Sequence, residues 1–277
     1  MTPDEYCQQR AAQSGSSFYY SFLFLPPEQR RGITALYAFC REVDDVVDEV
    51  HDPQLAHTKL AWWRQEIANL FAGNPQHPVT HALAPVIKRF ALPRERFEEI
   101  IAGMEMDIEQ NRYLDFPALE HYCHHVAGSV GMMAAELFGY SDQRTLAYAH
   151  ELGLAFQLTN IIRDVGEDAR RGRIYLPQDE MRAHGVAPAQ VLRAEASDGF
   201  LALMRMQTQR AREHYARALA ALPAVDRKAQ RPGLVMAAIY QRLLGEIEAE
   251  NFAVLHQRIA LTPLRKLWIA WRTWYFV

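Results

Sequence analysis

Apolar residues return every three or four positions along nearly the whole chain, and nowhere do they alternate with polar ones in a sustained way. Such a chain has helix stripes to bury and no sheet face, which confines it to an all-α architecture. Ile33, Leu36, Tyr37, Cys40, Val43 and Val47 form one such stripe. The punctuation agrees. Asp52-Pro53 reads as an N-cap and first-turn proline of a helix passing Trp62 and Leu70 and stopping at Gly73. Asp115 caps a predicted helix running through His121 to Leu137, closed by Gly139. Ser141 and Asp142 start one that passes Asp164, Ser197 and Asp198 open another through Leu219, and Thr262-Pro263 opens the last. The one long stretch outside this pattern is Arg170 to Pro188, and a loop of that length in a helical chain is often functional. No linker or low-complexity run divides the 277 residues, so one domain spanning 1–277 is expected.

The net charge of -3 argues against a polyanionic partner, so no nucleic acid is expected and any phosphate must be held by local groups. Cys7, Cys40 and Cys123 form no metal-ligand or disulfide pattern and suit a reducing, cytoplasmic setting. The first ten residues carry charges and no apolar run, so no signal peptide is expected. No stretch reaches the roughly 20 apolar residues of a membrane span. Residues 263–277 differ from the rest. Leu267, Trp268, Ile269, Trp271, Trp274, Tyr275 and Phe276 crowd beside Arg265, Lys266 and Arg272. Aromatics mixed with cations suit a membrane interface, and a last helix packed on the core is the equal alternative. The expected location is the cytoplasm, with peripheral contact at the inner face of its membrane.

Two acidic segments carry the chemistry. Asp44 and Asp48 are four apart on one helix face, with Tyr37 and Arg41. Like charges at that spacing destabilise a helix by about 0.2–0.5 kcal/mol, so the pair is either neutralised by cations or a solvated helix end with Asp45, Glu49 and Asp52. In the second segment Asn160, Asp164 and Asp168 share a face with Gly153 and Gln157, while Leu154, Leu158, Ile161 and Ile162 take the other. If the two helices face one another, five oxygen-bearing side chains converge. Oxygen donors shared with phosphate suit magnesium. His121, His124 and His125 lack zinc spacing and read as ordinary helix residues. Arg41, Arg163, Arg170, Arg171 and Arg173 adjoin the acidic segments, and guanidinium forks suit diphosphate oxygens. Ala127, Gly128, Gly131, Ala134 and Ala135 either pack helices closely or, with Phe18, Tyr37, Leu154 and Phe156, line an apolar channel.

With these residues in view the chain resembles the squalene/phytoene synthases, head-to-head prenyltransferases. The tract Asn160 to Asp168 followed by Arg173-Ile174-Tyr175-Leu176-Pro177 carries the resemblance, as does Tyr122-Cys123-His124-His125-Val126-Ala127-Gly128-Ser129-Val130-Gly131. The segments Ser14 to Tyr20 and Pro263 to Trp268 are most similar to bacterial presqualene diphosphate synthases of hopanoid pathways. The resemblance implies an isoprenoid synthase fold, helices around a central cavity with the two aspartate motifs facing across it. It implies that Asp44 and Asp48, with Asn160, Asp164 and Asp168, hold magnesium, three ions per site arriving with diphosphate. Arg41, Arg163, Arg173, Tyr240 and Arg258 match diphosphate contacts, Arg163 also serving catalysis. Tyr37, Tyr122 and Gln157 match positions near the reacting carbons. Phe18 falls on the substrate side, and Ser16 stands where some relatives carry a basic contact.

The implied reaction joins two farnesyl diphosphates. Loss of one diphosphate leaves an allylic cation, the second double bond attacks it, and proton loss closes the cyclopropane of presqualene diphosphate. Released diphosphate or a Tyr122 relay takes the proton. No glycine-rich dinucleotide fingerprint is present, so NADPH is not expected. Downstream squalene-pathway enzymes would consume the product. The alternatives are phytoene synthase on geranylgeranyl diphosphate, a full NADPH-dependent squalene synthase, and a non-catalytic helical assembly protein, which would show eroded acidic motifs.

Overall fold

The computed structural model describes residues 1–13, 21–22, 24–50 and 52–276, so Ser16 and Phe18 lie outside the described residues. The longer helices are Pro3–Gln13, Pro27–Glu49, Pro53–Phe71, Pro78–Phe90, Arg94–Glu109, Ser129–Phe138, Arg144–Arg170, Asp198–Ala221, Arg231–Ala249 and Pro263–Phe276. Among the described residues the extended backbone pairs only at an isolated bridge between Arg112 and Ile174.

The caps explain the boundaries. Asp52 accepts from the Gln54 amide at 2.9 Å, Asp115 from Ala118 at 2.9 Å, and Ser197 from Phe200 at 3.1 Å. Gly73 and Gly139 end their helices at φ 85° and 82°, where a side chain would be strained.

Two sequence expectations need correction. The helix from Asp115 is not uniform: Phe116–Cys123 passes into a single π turn, His124–Gly128, before Ser129–Phe138 continues. The stretch from Arg170 to Pro188 is not one loop, because the preceding helix runs through Arg170 and a short helix forms at Gln178–Ala183. Its backbone borrows partners from a distant segment. Ile174 donates to the Asn111 carbonyl at 3.1 Å and Gln178 to that of Tyr113 at 2.9 Å. No local periodicity announces such bonds.

The helices pack around two apolar clusters. One gathers Leu36, Phe39, Leu60, Ile67, Phe97 and Met133; the other gathers Leu158, Ile162, Leu203, Tyr215, Ile239 and Leu244. Val126 and Trp274 pack against both. Where the clusters meet lies a cavity of about 430 Å³, walled from both sides. Glycines bring two of its helices together. A Cβ at Gly153 would sit 2.4 Å from the Ala127 carbonyl, and one at Gly131 would sit 2.4 Å from that of Ala149. The small residues thus serve close packing, while Ala127, Gly131, Ala134 and Ala135 also line the cavity. Leu154, expected in the lining, is instead buried in the second cluster.

The last helix packs on the core through one face. Ala270 is fully buried and the Trp274 ring lies 5.3 Å from that of Phe24.

Candidate active site

The two acidic segments meet at one end of the cavity. Asp44 comes from Pro27–Glu49, Asn160 from Arg144–Arg170, and both line the wall with Tyr37, Arg41, Gln157, Arg163, Tyr240 and Arg258. The turn after the second helix reaches across to the first. Arg171 bonds Asp48 at 2.8 Å, and Arg173 reaches the same carboxylate at 3.3 Å and the Val47 carbonyl at 3.2 Å. Arg173 is itself fixed, since its amide donates to the Asp168 carbonyl at 2.9 Å. Arg173 thereby ties the Asp168 backbone to the Asp48 carboxylate.

Each carboxylate of the motifs has company, but not of a kind that satisfies all of them. Arg41 donates to Asp44 at 2.6 Å and to Asp45 at 2.5 Å. Asp164 accepts from Arg163 beside it and from Arg258 at 3.0 Å. Burial, and then the neighbouring Asp48, push the Asp44 carboxyl up to about 7. Its side chain is still 39% accessible, because it faces the cavity while protein surrounds it. Burial, then Asp164, push Asp168 up to about 8. Nearby cations fall short of neutralising these two groups.

Asn160 adds an independent observation. Its Oδ1 is buried without a hydrogen-bond partner, while its Nδ2 makes only a long 3.4 Å contact with Gln157. A buried acceptor left unmade costs about 1–3 kcal/mol, which a cation bound there would recover. An orphaned oxygen beside carboxylates that resist ionisation fits a hard divalent cation. Among the described residues no three acidic, histidine or cysteine side chains are grouped so that they could hold a metal ion by themselves. Magnesium does not need such a group, since it keeps waters and completes its shell with phosphate oxygens. Of the five predicted ligands, Asp44 and Asn160 line the cavity, while Asp48, Asp164 and Asp168 follow on the same two helices outside its lining; oxygen donors of this kind suit magnesium.

Sequence reasoning missed one carboxylate. Asp107 accepts from the Tyr122 hydroxyl at 2.8 Å and the Tyr175 hydroxyl at 2.7 Å. Burial pushes it up to about 6, against the pull of those two bonds. Tyr122, Tyr175 and Tyr113 stack around it at centroid distances of 5.3–5.8 Å. The signal was available: Asp107 continues the apolar stripe Phe97, Ile100, Met104, where a charge does not belong. Tyr122 lines the cavity, and burial followed by Asp107 raises its hydroxyl well above the usual tyrosine range. It therefore keeps its proton at neutral pH.

The rest of the polar end is cationic. The Tyr240 hydroxyl bonds the Arg163 guanidinium, and Arg258 adjoins them at the rim. Lys266, from the last helix, also faces this wall; burial, then Arg163 and Arg258, lower its pKa. The sequence had placed it with the interfacial residues. Of the three helix histidines, His124 bonds His150 at 3.0 Å and His125 bonds the His121 carbonyl at 2.8 Å, away from the aspartates.

Beyond the polar end the wall turns apolar, through Phe22, Ile33, Leu36, Ile100, Met104, Val126, Phe138, Leu152, Phe156 and Met236. A charged, oxygen-rich end joined to an apolar chamber accommodates a diphosphate with a hydrocarbon tail.

Comparison with known proteins points the same way. Residues 11–265 match the squalene/phytoene synthase family. The chain is 36% identical over 276 residues to a phytoene synthase of Arthrospira platensis, covering 95% of this chain and 89% of that one. It is 35% identical to a chloroplastic phytoene synthase of Narcissus pseudonarcissus, spanning 94% of this chain but 63% of that longer one. The solved structure of a dehydrosqualene synthase in complex with ligand superposes with a TM-score of 0.89, at 28% identity, over 98% of this chain and 95% of that one. The squalene synthase HpnC of Alicyclobacillus acidocaldarius superposes at 0.81, with 26% identity, over 90% and 94%.

Proposed function

The chain belongs to the squalene/phytoene synthase family, prenyltransferases that condense prenyl diphosphates head to head, and on that premise we propose that it joins two farnesyl diphosphates into presqualene diphosphate. The observation that supports the diphosphate chemistry, common to either prenyl chain length, is the orphaned Asn160 oxygen and the raised Asp44 carboxyl on the wall of an apolar cavity.

Bound magnesium, three ions in this reading, supplies the charge that stabilises a departing diphosphate. The protein contributes position and exclusion of water. Arg41, Arg163, Arg173 and Arg258 already reach into the acidic cluster, and diphosphate oxygens offer them the same acceptors. Tyr37, Tyr122 and Phe156 present aromatic surface to the chamber, where a passing carbocation is stabilised by the ring face. Tyr122 acts as a hydroxyl donor held by Asp107 rather than as a free base. Released diphosphate then remains as the proton acceptor.

A second reading is supported by the sequence relatives, which are phytoene synthases: the same condensation on two geranylgeranyl diphosphates. The structural likeness to a dehydrosqualene synthase and to HpnC supports the farnesyl reading. Mass spectrometry of products from each substrate with magnesium, with and without NADPH, separates them. Presqualene diphosphate in both farnesyl samples is the expected result. Squalene appearing only with NADPH would add a reductive step. Product from geranylgeranyl diphosphate alone would install the second reading. In the proposed setting the enzyme works in the cytoplasm and hands its product to squalene-pathway enzymes.

A further inference from the structure

The last helix, Pro263–Phe276, has two faces of opposite character. Its inner face holds Lys266 on the cavity wall, buried Ala270 and Thr273, and Trp274 against Phe24. Its outer face carries Leu264, Leu267, Trp268, Trp271 and Tyr275, exposed by 79%, 40%, 57%, 49% and 61%. Their spacing of three and four makes one continuous stripe. Single exposed apolar side chains are ordinary, but a contiguous stripe marks a surface that something covers.

Three observations choose the cover. The stripe is rich in tryptophan and tyrosine, whose rings are part apolar and part polar, and Arg272 lies 5.5 Å over the Trp268 ring. From Phe252 to Val277 the chain has no acidic residue, yet it carries Arg258, Arg265, Lys266 and Arg272 within a protein of net charge -3. Arg258 and Arg265 keep ion-pair partners on neighbouring segments, and Arg272 is exposed at the stripe. An anionic surface complements this end, whereas a two-fold pairing of two copies would set the same cationic helix against itself. Finally, 14 residues make a helix roughly 21 Å long, short of the roughly 30 Å of a bilayer core, and no described helix is long and apolar enough to cross a membrane.

We propose that the outer face of Pro263–Phe276 docks this protein on an anionic lipid surface, the helix lying in the headgroup plane. Ala260, just before it, is exposed and also lines the cavity. Docking therefore sets an edge of the chamber beside the bilayer, and Lys266 on the other side of the same helix belongs to the chamber wall. Apolar tails can then pass between lipid and cavity with little travel through water. The proposal holds for either prenyl chain length.

The test uses full-length protein with vesicles of phosphatidylcholine alone or mixed with phosphatidylglycerol, read by co-sedimentation and by tryptophan emission. Binding to phosphatidylglycerol vesicles with a blue shift is expected. The exposed pair Trp268→Ser/Trp271→Ser should weaken it by about tenfold or more. Arg272→Glu should cost about tenfold on anionic vesicles and little on neutral ones. Helical content of each variant by circular dichroism guards against misfolding. No binding to either vesicle, or binding unchanged in the tryptophan variant, overturns the proposal. So does a dimer, seen by light scattering, that the tryptophan variant dissolves, for then a second copy is the cover. Vesicle binding needs no substrate, so its outcome is independent of the proposed reaction.

Discussion

Two regions of this molecule bury carboxylates and treat them in opposite ways. At the corner between Tyr140 and the helix Arg144–Arg170, Asp226 is 2% exposed. It accepts from the Ser141 amide at 2.7 Å, the Asp142 amide at 3.0 Å and the Thr145 hydroxyl at 2.6 Å. Glu66 does the same for the start of Pro78–Phe90, taking the Gln76 and His77 amides at 2.6 and 2.8 Å and the Thr80 hydroxyl. Burial alone would raise both carboxyls, yet these donors bring them below the ordinary range. Around the acidic segments Asp44, Asp107 and Asp168 are pushed up instead, chiefly by burial that too few donors offset, with neighbouring carboxylates adding to it. A carboxylate capped by backbone N–H groups holds the fold together. One buried with too few donors keeps its proton more tightly, and under the proposed function Asp44 and Asp168 would give theirs up to a cation.

The comparison can be broken at either end. Asp44→Asn or Asp164→Asn should lower turnover by about 10³-fold or more while circular dichroism stays unchanged, since several kcal/mol of leaving-group stabilisation goes with the ligand. Full activity in either variant would refute the metal assignment. Asp226→Ala should do the reverse. It strands three donors and should cost about 3 kcal/mol in urea unfolding, with normal turnover per folded molecule.

The pH dependence sharpens the contrast. From the ordinary carboxylate value of 3.8 up to about 7 at Asp44 and about 8 at Asp168, the native metal-free protein holds protons that the unfolded chain has released. Its stability should therefore fall as pH rises through that window. Magnesium with diphosphate should reverse the slope, and Asp168→Asn should flatten it. Asp226 and Glu66 have lowered values, so their contribution is complete above the ordinary range and is lost only as pH falls below it. Thermal melting across pH, with and without the ligands, reads both limbs. The smallest effect belongs to Asn160→Ala. Removing an unpartnered acceptor should leave metal-free stability unchanged or raised by about 1 kcal/mol, while magnesium affinity, by calorimetry with diphosphate present, declines.

Much of this was legible in the chain. Helix starts at Asp52, Asp115 and Ser197 and stops at Gly73 and Gly139 are local chemistry, decided by side chains a few residues away. The acidic stripes at Asp44 and Asp164 are also local, because helical spacing alone puts their members on one face. The π turn at His124–Gly128 was not legible, and neither was the anchoring of Ile174 and Gln178 on Asn111 and Tyr113. That anchoring rests on residues some sixty positions apart meeting in space.

The sequence by itself determined an all-helical chain, two acidic helix faces and a set of arginines near them. Tertiary structure decided that Arg171 and Arg173 reach Asp48 and so tie the two segments together. It also recruited Asp107 behind Tyr122, and turned Lys266 inward while Trp268 and Trp271 stayed outside. The division has one physical cause. Periodicity fixes which residues share a face, but only packing decides what that face meets, and the partner determines whether a buried charge is satisfied or left waiting.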